Sequence, residues 1–176
     1  MTRKTEIQEK FINRDISWIE FNSRVLDEAA DKGNPLLERL KFIAIFSNNL
    51  DEFFMVRIAA IAQQRGTQFQ KIYKDYGYDP EELILRLDRR VRVLVEKQYR
   101  HLNGEILPEL EKEGISLVTW DRLTPSQKNT AMKIMSSELC PVLTPIGVDQ
   151  SHPFPLVPNL GLEMLIRLKK EGDADE

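Results

Sequence analysis

Apolar side chains recur every three or four residues through much of the first 110 positions, and this spacing restricts that part of the chain to helices. Because an α-helix has 3.6 residues per turn, the repeat gathers these side chains on one face. It runs over residues 17–29, 36–46 and 84–110. We therefore predict a helical bundle over residues 1–114. We expect its core to include Trp18, Phe21, Leu40, Phe53, Val91 and Leu94.

Three local patterns predict where the helices of this bundle begin. Ser17 and Glu20 form an S-x-x-E capping box, in which each side chain can bond the backbone N–H of the other residue. The pairs Asn34–Pro35 and Asp79–Pro80 each suit an N-cap followed by the first helical position. Residues 66–79 between two of these starts are predicted to form a loop with a short helical piece.

The stretch FSNNLDEFFMVR, residues 46–57, interrupts the apolar pattern with polar side chains. Serine and asparagine disfavour a helix interior because their short side chains compete for backbone hydrogen bonds. One helix is therefore predicted to end near Ser47 and another to begin. Asn49 with Glu52 would cap that next helix, and the alternative is that Asn49 belongs to a binding site. On the residues alone, the cap is the favoured interpretation.

The pattern changes after Gly114, where the sequence predicts a second and incomplete domain over residues 115–176. ISLVTW, residues 115–120, is short and rich in β-branched residues, and LGLEMLIRL near the end alternates, so both predict strands. Thr124–Pro125 predicts a helix between them. The predicted fold class is mainly α: a helical bundle followed by the truncated start of an α/β or α+β domain with two short strands and a helix.

Charge argues against a protein built to bind nucleic acid, since the net charge is −3. The basic residues of the helix spanning 86–100 are open to three interpretations. They could bind a polyanion, form a subunit interface, or lie on a solvated face balanced by neighbouring acids. They lack the regular interleaving with aromatic side chains that suits single-stranded nucleic acid, so the solvated face is favoured.

Composition also bears on location and chemistry. No apolar run reaches the length of a membrane span, and the N-terminus lacks the apolar segment of a signal peptide. A cytoplasmic protein is therefore expected, with peripheral membrane association left open. The single cysteine, Cys140, is expected to be a buried thiol. There is no G-x-x-x-x-G-K-[ST] phosphate loop, and His101 and His152 lack metal-ligand spacing. The chain is thus predicted to hold no catalytic or metal-binding residue.

Two stretches resemble one family. FINRDISWIEFNSRVLDEAADKGNPLLERLKFIAIFSNNLDEFFMVRIA resembles the N-terminal domain of the long-chain bacterial polyphosphate kinases, and LTPIGVDQSHPFPLVPNLGLEML is similar to the start of their head domain. The resemblance implies an enzyme that reversibly transfers the terminal phosphate of ATP to polyphosphate. It implies a phosphorylated histidine and Mg²⁺ ligands outside this chain, which alone would be inactive.

The resemblance also implies partners and a site. ATP or ADP and inorganic polyphosphate would be the substrates, and the complete enzyme would be a homo-oligomer. Asn49 matches the second asparagine position of the family's S-[NS]-N-L-D-E-F motif, which contacts the nucleotide base. This makes Asn49 the predicted ATP-binding residue and reverses the preference for a cap. The rival hypotheses are a helical interaction adaptor without a ligand and a polyanion-binding module built on residues Arg86–Arg100.

Overall fold

The structure is a computed structural model that describes residues 12–64, 66, 78–149 and 151–168, and its contacts divide the chain into two compact units, 1–118 and 119–176. The first unit is a bundle of helices. We number its α-helices α1 to α5: α1 (Arg14–Ala30), α2 (Leu36–Glu52), α3 (Ala59–Gln63), α4 (Pro80–His101) and α5 (Leu107–Lys112). Single π-helical segments join α2 to α3 (Phe53–Ile58) and α4 to α5 (Leu102–Ile106). The mainly α fold is confirmed.

The described residues of the second unit include one further α-helix, α6 (Pro125–Ile134), followed by a π-helical segment (Met135–Leu139). Two 3₁₀ turns, Trp120–Arg122 and Cys140–Val142, flank these helices. α6 begins at Pro125, as the Thr124–Pro125 pattern predicts, and Thr124 caps it in a capping box with Gln127. None of the described helices in either unit is long and apolar enough to cross a membrane.

The core of the first unit lies where α1, α2 and α4 meet. Of the six predicted core residues, Phe53, Val91 and Leu94 are buried, and Trp18 and Leu40 are partly buried against the core. The predicted burial of Phe21 is wrong, because 49% of its surface is exposed. The buried apolar side chains of the unit are Ile19, Leu26, Ala29, Ile43, Phe46, Leu50, Phe53, Ile61, Leu83, Leu87, Val91, Leu94, Ile106 and Leu110.

Two of the predicted helix starts are displaced. α1 begins one turn before Ser17, because the Asn13 side chain accepts hydrogen bonds from the N–H groups of residues 15 and 16 and is the N-cap. At α2, Pro35 occupies the N-cap, and the Asn34 amide instead donates to the Glu28 carbonyl in the last turn of α1. Asp79 does cap α4, accepting from the N–H of residue 81.

The predicted helix end near Ser47 is also wrong, because α2 runs without a break from Leu36 to Glu52. Its polar residues find partners on other helices instead of competing for their own backbone. The Ser47 hydroxyl accepts from Gln98, and the Asn49 amide donates to Asn22. Phe46 and Leu50 are buried on either side, so tertiary packing overrides the local propensity. Asn49 therefore lies inside a helix and is not an N-cap.

The two short strands are not seen in the described residues. Residues 115–119 and 161–168 have no regular secondary structure, and neither stretch is hydrogen-bonded to a partner strand there. A strand needs such a partner, whatever its β-propensity.

Cys140 is exposed, so its predicted burial is wrong. The predicted loop at residues 66–79 lies largely outside the described residues.

Candidate functional site

A cleft of about 340 Å³ opens on the first unit beside the polar residues of α2. We call it the Asn49 cleft. Residues of α1 form one side, and the end of α2 with the following π-helical segment forms the other. It is lined by Arg14, Asp15, Trp18, Phe21, Asn49, Glu52, Phe53, Val56 and Arg57.

Asn49 lines this cleft, and its side-chain amide is hydrogen-bonded to that of Asn22. Its Nδ2 donates to Oδ1 of Asn22 on α1, at 2.9 Å. Nδ2 of Asn22 in turn donates to the Phe46 carbonyl of α2, at 3.2 Å. Asn22 is completely buried, whereas Asn49 is partly exposed. The side-chain carbonyl oxygen of Asn49, Oδ1, accepts no hydrogen bond from any residue that the structure describes, so it can accept one from a ligand.

Aromatic side chains form the apolar part of the Asn49 cleft. The Trp18 ring stacks on Phe53, with centroids 4.5 Å apart and planes 12° apart. Phe21 stands half exposed at the cleft, with the Arg24 guanidinium 5.8 Å from the centre of its ring. Val56 is also largely exposed. Exposed apolar surface beside a polar amide suits a flat, partly polar ligand such as a nucleobase.

An ion pair lies at the charged part of the cleft. Arg57, from the π-helical segment, donates from Nε and a terminal nitrogen to the two carboxylate oxygens of Asp15, at 2.8 and 3.2 Å. The Asp15 side chain is buried and that of Arg57 is about one third exposed. The two residues sit on different elements, so this bidentate pair joins the start of α1 to the π-helical segment.

The π-helical segment itself contributes to the shape of the site. At its end, the N–H of Ala59 bonds to the carbonyl of Phe54, five residues earlier, which widens the turn. Such segments are often found at functional sites in helices. Here the segment directly follows Glu52 and carries Phe53, Val56 and Arg57 of the cleft.

Sequence reasoning selected Asn49 but missed Asn22 and Asp15. A signal for Asn22 does exist in the sequence. It occupies a core-facing position of α1, with Ile19, Leu26 and Ala29 all buried on the same face. A polar residue inside an apolar stripe needs a hydrogen-bond partner, because burying an amide without one costs free energy. That partner could not be identified without the packing of α1 on α2.

Neither histidine is among the residues that line the Asn49 cleft. His101 Nδ1 is 3.0 Å from Glu105 one turn later in the chain. In the second unit, His152 is exposed and contacts Asp149, and this hydrogen bond, with two from backbone N–H groups, holds the pKa of the Asp149 carboxyl below its usual value. Within residues 12–64, 66, 78–149 and 151–168, no three His, Cys, Asp or Glu side chains cluster in a way that could hold a metal ion.

The basic residues of α4 mostly meet acids. Arg90 binds both carboxylate oxygens of Glu20 on α1, at 2.7 and 2.8 Å. Lys97 pairs with Asp27, also on α1. Within α4 itself, Arg92 pairs with Asp88 and Arg100 pairs with Glu96. The balanced-face interpretation is therefore the one that the geometry favours over a polyanion surface.

Two family profiles match the chain. Residues 11–118 match the "Polyphosphate kinase N-terminal domain" and residues 126–176 match the "Polyphosphate kinase middle domain". Among curated relatives, the polyphosphate kinase of Halalkalibacterium halodurans is 44% identical over 165 residues, covering 93% of this chain and 23% of that protein. The polyphosphate kinase of Pseudomonas putida is 42% identical over 159 residues, covering 90% and 22%. The chain thus spans under a quarter of the length of these relatives.

A solved structure of the same family is also similar to this chain. The crystal structure of polyphosphate kinase from Porphyromonas gingivalis matches with a TM-score of 0.58 and 34% identity, covering 82% of this chain and 20% of that one. The family profile of the N-terminal domain covers more than half of the chain and includes the whole Asn49 cleft. The chain belongs to the polyphosphate kinase family and corresponds to its N-terminal part.

Proposed function

We propose that this chain is the nucleotide-contacting N-terminal part of a polyphosphate kinase, and that Asn49 contacts the adenine base of ATP or ADP. The observation that carries the proposal is the unused carbonyl oxygen of Asn49 at the cleft. An asparagine amide can accept from the exocyclic amine of adenine and donate to a ring nitrogen. One N–H of Asn49 is used by Asn22, so the carbonyl oxygen and the second N–H are available to the base.

The shape and chemistry of the Asn49 cleft support a base in preference to a phosphate chain. Its volume of about 340 Å³ lies at the lower end of the range for ligand sites. Phe21 and Val56 offer exposed apolar surface against which a purine ring could pack. The guanidinium of Arg57 already binds a carboxylate, which reduces its attraction for phosphate. The phosphates would therefore extend away from this unit.

The chemical step is assigned to other parts of the complete kinase. There the terminal phosphate of ATP passes reversibly to polyphosphate through a phosphohistidine outside this chain, with Mg²⁺ held by ligands that also lie outside it. Phosphoryl transfer needs cations gathered around the transferred group, whereas most basic residues of α4 pair with acids. The isolated chain is thus proposed to be inactive, and the complete enzyme to be a homo-oligomer.

Residues 1–114 are proposed to be the N-terminal domain and residues 115–176 the beginning of the head domain. In the second unit, the described residues include no buried side chain, and several large apolar ones are almost fully exposed. Leu156, Leu162 and Leu168 are examples. Exposed apolar surface of this extent is typical of a unit that packs against further protein.

The test of the base contact is the Asn49→Ala variant of the complete kinase. A hydrogen bond between neutral groups contributes about 0.5–1.5 kcal/mol, so the KM for ATP should rise roughly two- to tenfold. The value of kcat should change little, because the base is remote from the transferred phosphate and its binding is uniform through the reaction.

The matched control is Asn48→Ala, at the adjacent residue of α2. Asn48 is exposed and does not line the Asn49 cleft. Its replacement should leave the KM for ATP unchanged within about twofold. If Asn48→Ala raises the KM and Asn49→Ala does not, the base contact is assigned to the wrong asparagine.

A further inference from the structure

We propose that Asn22 is a positioning residue that fixes the orientation of the Asn49 amide and thereby selects nucleotides whose base carries a 6-amino group. The inference rests on the proposed contact between Asn49 and the base. It concerns a residue that never touches the nucleotide, since Asn22 does not line the Asn49 cleft and is completely buried.

The orientation of the Asn22 amide is determined by the Phe46 carbonyl. Its Nδ2 lies 3.2 Å from that oxygen. Rotating the amide by 180° would set two oxygen atoms against each other in a site without water contact, which is unfavourable. Asn22 therefore presents Nδ2 to Phe46 and Oδ1 to Asn49.

This orientation decides that of Asn49 in turn. Oδ1 of Asn22 can only accept a hydrogen bond, so Asn49 must present its Nδ2 to it, and the two atoms are 2.9 Å apart. The carbonyl oxygen of Asn49 then points away from Asn22. The Phe46 carbonyl thus determines, through the amides of Asn22 and Asn49, which atom of the Asn49 amide is left unpaired.

The exposed carbonyl oxygen discriminates between purines. The 6-amino group of adenine donates a hydrogen bond to such an oxygen, whereas the 6-oxo group of hypoxanthine or guanine places a second acceptor against it. A site that is built to accept from the base rejects the analogue with reversed polarity, because its own polar group is left unpaired. ATP should therefore be preferred over ITP, which differs at this edge.

The experiment measures kcat/KM for ATP and for ITP in the complete kinase and in two variants at residue 22. The unaltered kinase should prefer ATP by about fivefold or more. Asn22→Leu removes the acceptor that holds Asn49, so the amide can rotate and the preference should fall towards one, while kcat with ATP changes less than about twofold. Asn22→Asp keeps an acceptor facing Asn49 in either protonation state, so it should retain the preference.

A matched control separates positioning from stability. Gln98 is another buried amide that donates to a backbone carbonyl of α2, that of Ile43 at 3.0 Å. Its other described hydrogen bond goes to the Ser47 hydroxyl and not to Asn49. Gln98→Leu should lower the melting temperature and leave the ATP-to-ITP preference unchanged. A preference that falls equally in Gln98→Leu and Asn22→Leu would contradict a specific role for Asn22.

The outcomes also separate this inference from the proposed function. If Asn49→Ala raises the KM for ATP but Asn22→Leu keeps the full preference, the base contact stands and the positioning role is overturned. If Asn49→Ala leaves the KM unchanged, the base contact itself fails. Should Asn22→Leu not fold, the ATP-to-ITP preference of the unaltered kinase still tests the inference. Equal or better use of ITP would mean that Asn49 does not present its side-chain oxygen to the base.

Discussion

At the scale of single residues, Asn22 and Asn49 form an amide pair that crosses from α1 to α2. Their roles differ because their exposure differs. The side-chain amide of Asn22 forms its hydrogen bonds with other groups in the protein interior, where an unpaired amide would be unfavourable. Asn49 keeps an unused oxygen at the surface of a cleft, where an unpaired group can be satisfied by water or by a ligand. The pair thus links the interior of the bundle to its proposed nucleotide site.

Phe21 allows a test of the apolar part of the same cleft. Stacking of a base on an aromatic side chain contributes roughly 1–3 kcal/mol in single-stranded nucleic-acid sites. For a half-exposed ring we expect Phe21→Ala to raise the KM for ATP in the complete kinase about fivefold. The melting temperature should change little, since Phe21 is not part of the core.

The control for Phe21 is Phe54→Ala. Phe54 is 39% exposed, close to the exposure of Phe21, but it does not line the Asn49 cleft. It should leave the KM for ATP unchanged. If the two alanine variants alter the KM equally, the effect is not due to contact with the base.

The sequence predicts Asn49 as a site residue only through a family motif, and the reason is physical. Taken alone, Ser47 to Asn49 indicate a helix end, because local propensity disfavours them inside a helix. The structure keeps the helix by pairing Ser47 with Gln98 and Asn49 with Asn22. These partners are 51 and 27 residues away along the chain, so no local pattern could identify them.

At the scale of secondary-structure elements, α4 is fixed to α1 both by apolar packing and by ion pairs at its edges. Leu83, Leu87 and Leu94 face the core, and Arg90 and Lys97 reach Glu20 and Asp27 on α1. The apolar stripe of α4 was predictable because a helix that is buried on one face repeats its apolar residues at helical spacing. The partners of its arginines were not, since ion pairing depends on which helix lies alongside.

Two leucines of α4 test how its faces differ. Leu94 is 1% exposed, whereas Leu85 on the same helix is 56% exposed. Leu94→Ala should lower the free energy of unfolding of the chain by about 2–5 kcal/mol, because it leaves a cavity in the core. Leu85→Ala should change it by less than about 0.5 kcal/mol. Equal losses in urea unfolding would mean that the bundle packs by a different face of α4.

The ion pair between α1 and α4 predicts a pH dependence. Hydrogen bonds from the Arg90 guanidinium hold the pKa of the Glu20 carboxyl below its ordinary value. A carboxyl with a lowered pKa in the folded state stabilises the fold above its unfolded pKa, about 4.3, and loses this contribution as the pH falls through the folded pKa. Both side chains are over one third exposed, so the contribution should be only about 0.2–1 kcal/mol.

The measurement compares Glu20→Gln with the unaltered chain in urea unfolding at several pH values. The difference in free energy of unfolding should be largest near pH 7 and should disappear at acid pH, where Glu20 is protonated in both states. Glu96→Gln is the control, because Glu96 is highly exposed and pairs with Arg100 of the same helix. A difference for Glu20→Gln that is constant with pH would rule out the ion pair as its cause.

At the scale of the whole molecule, the two units differ in how much of their structure local sequence determines. The first unit encloses a core, and its helices were predicted from apolar spacing. The start of α1 was placed one turn too late and that of α2 one residue too early. In the second unit, α6 was predicted from the Thr124–Pro125 pair at its start, which is a local signal. The two strands were not found among the described residues, because a strand exists only with a partner that propensity cannot supply.

The central claim is that Asn49 contacts the base of the nucleotide, and a crystal structure of the complete kinase with a non-hydrolysable ATP analogue tests it most directly. The account predicts the adenine in the Asn49 cleft, with its 6-amino group within about 3.2 Å of the Asn49 carbonyl oxygen and the pair with Asn22 intact. An adenine bound elsewhere, with the Asn49 oxygen facing only water, would contradict it.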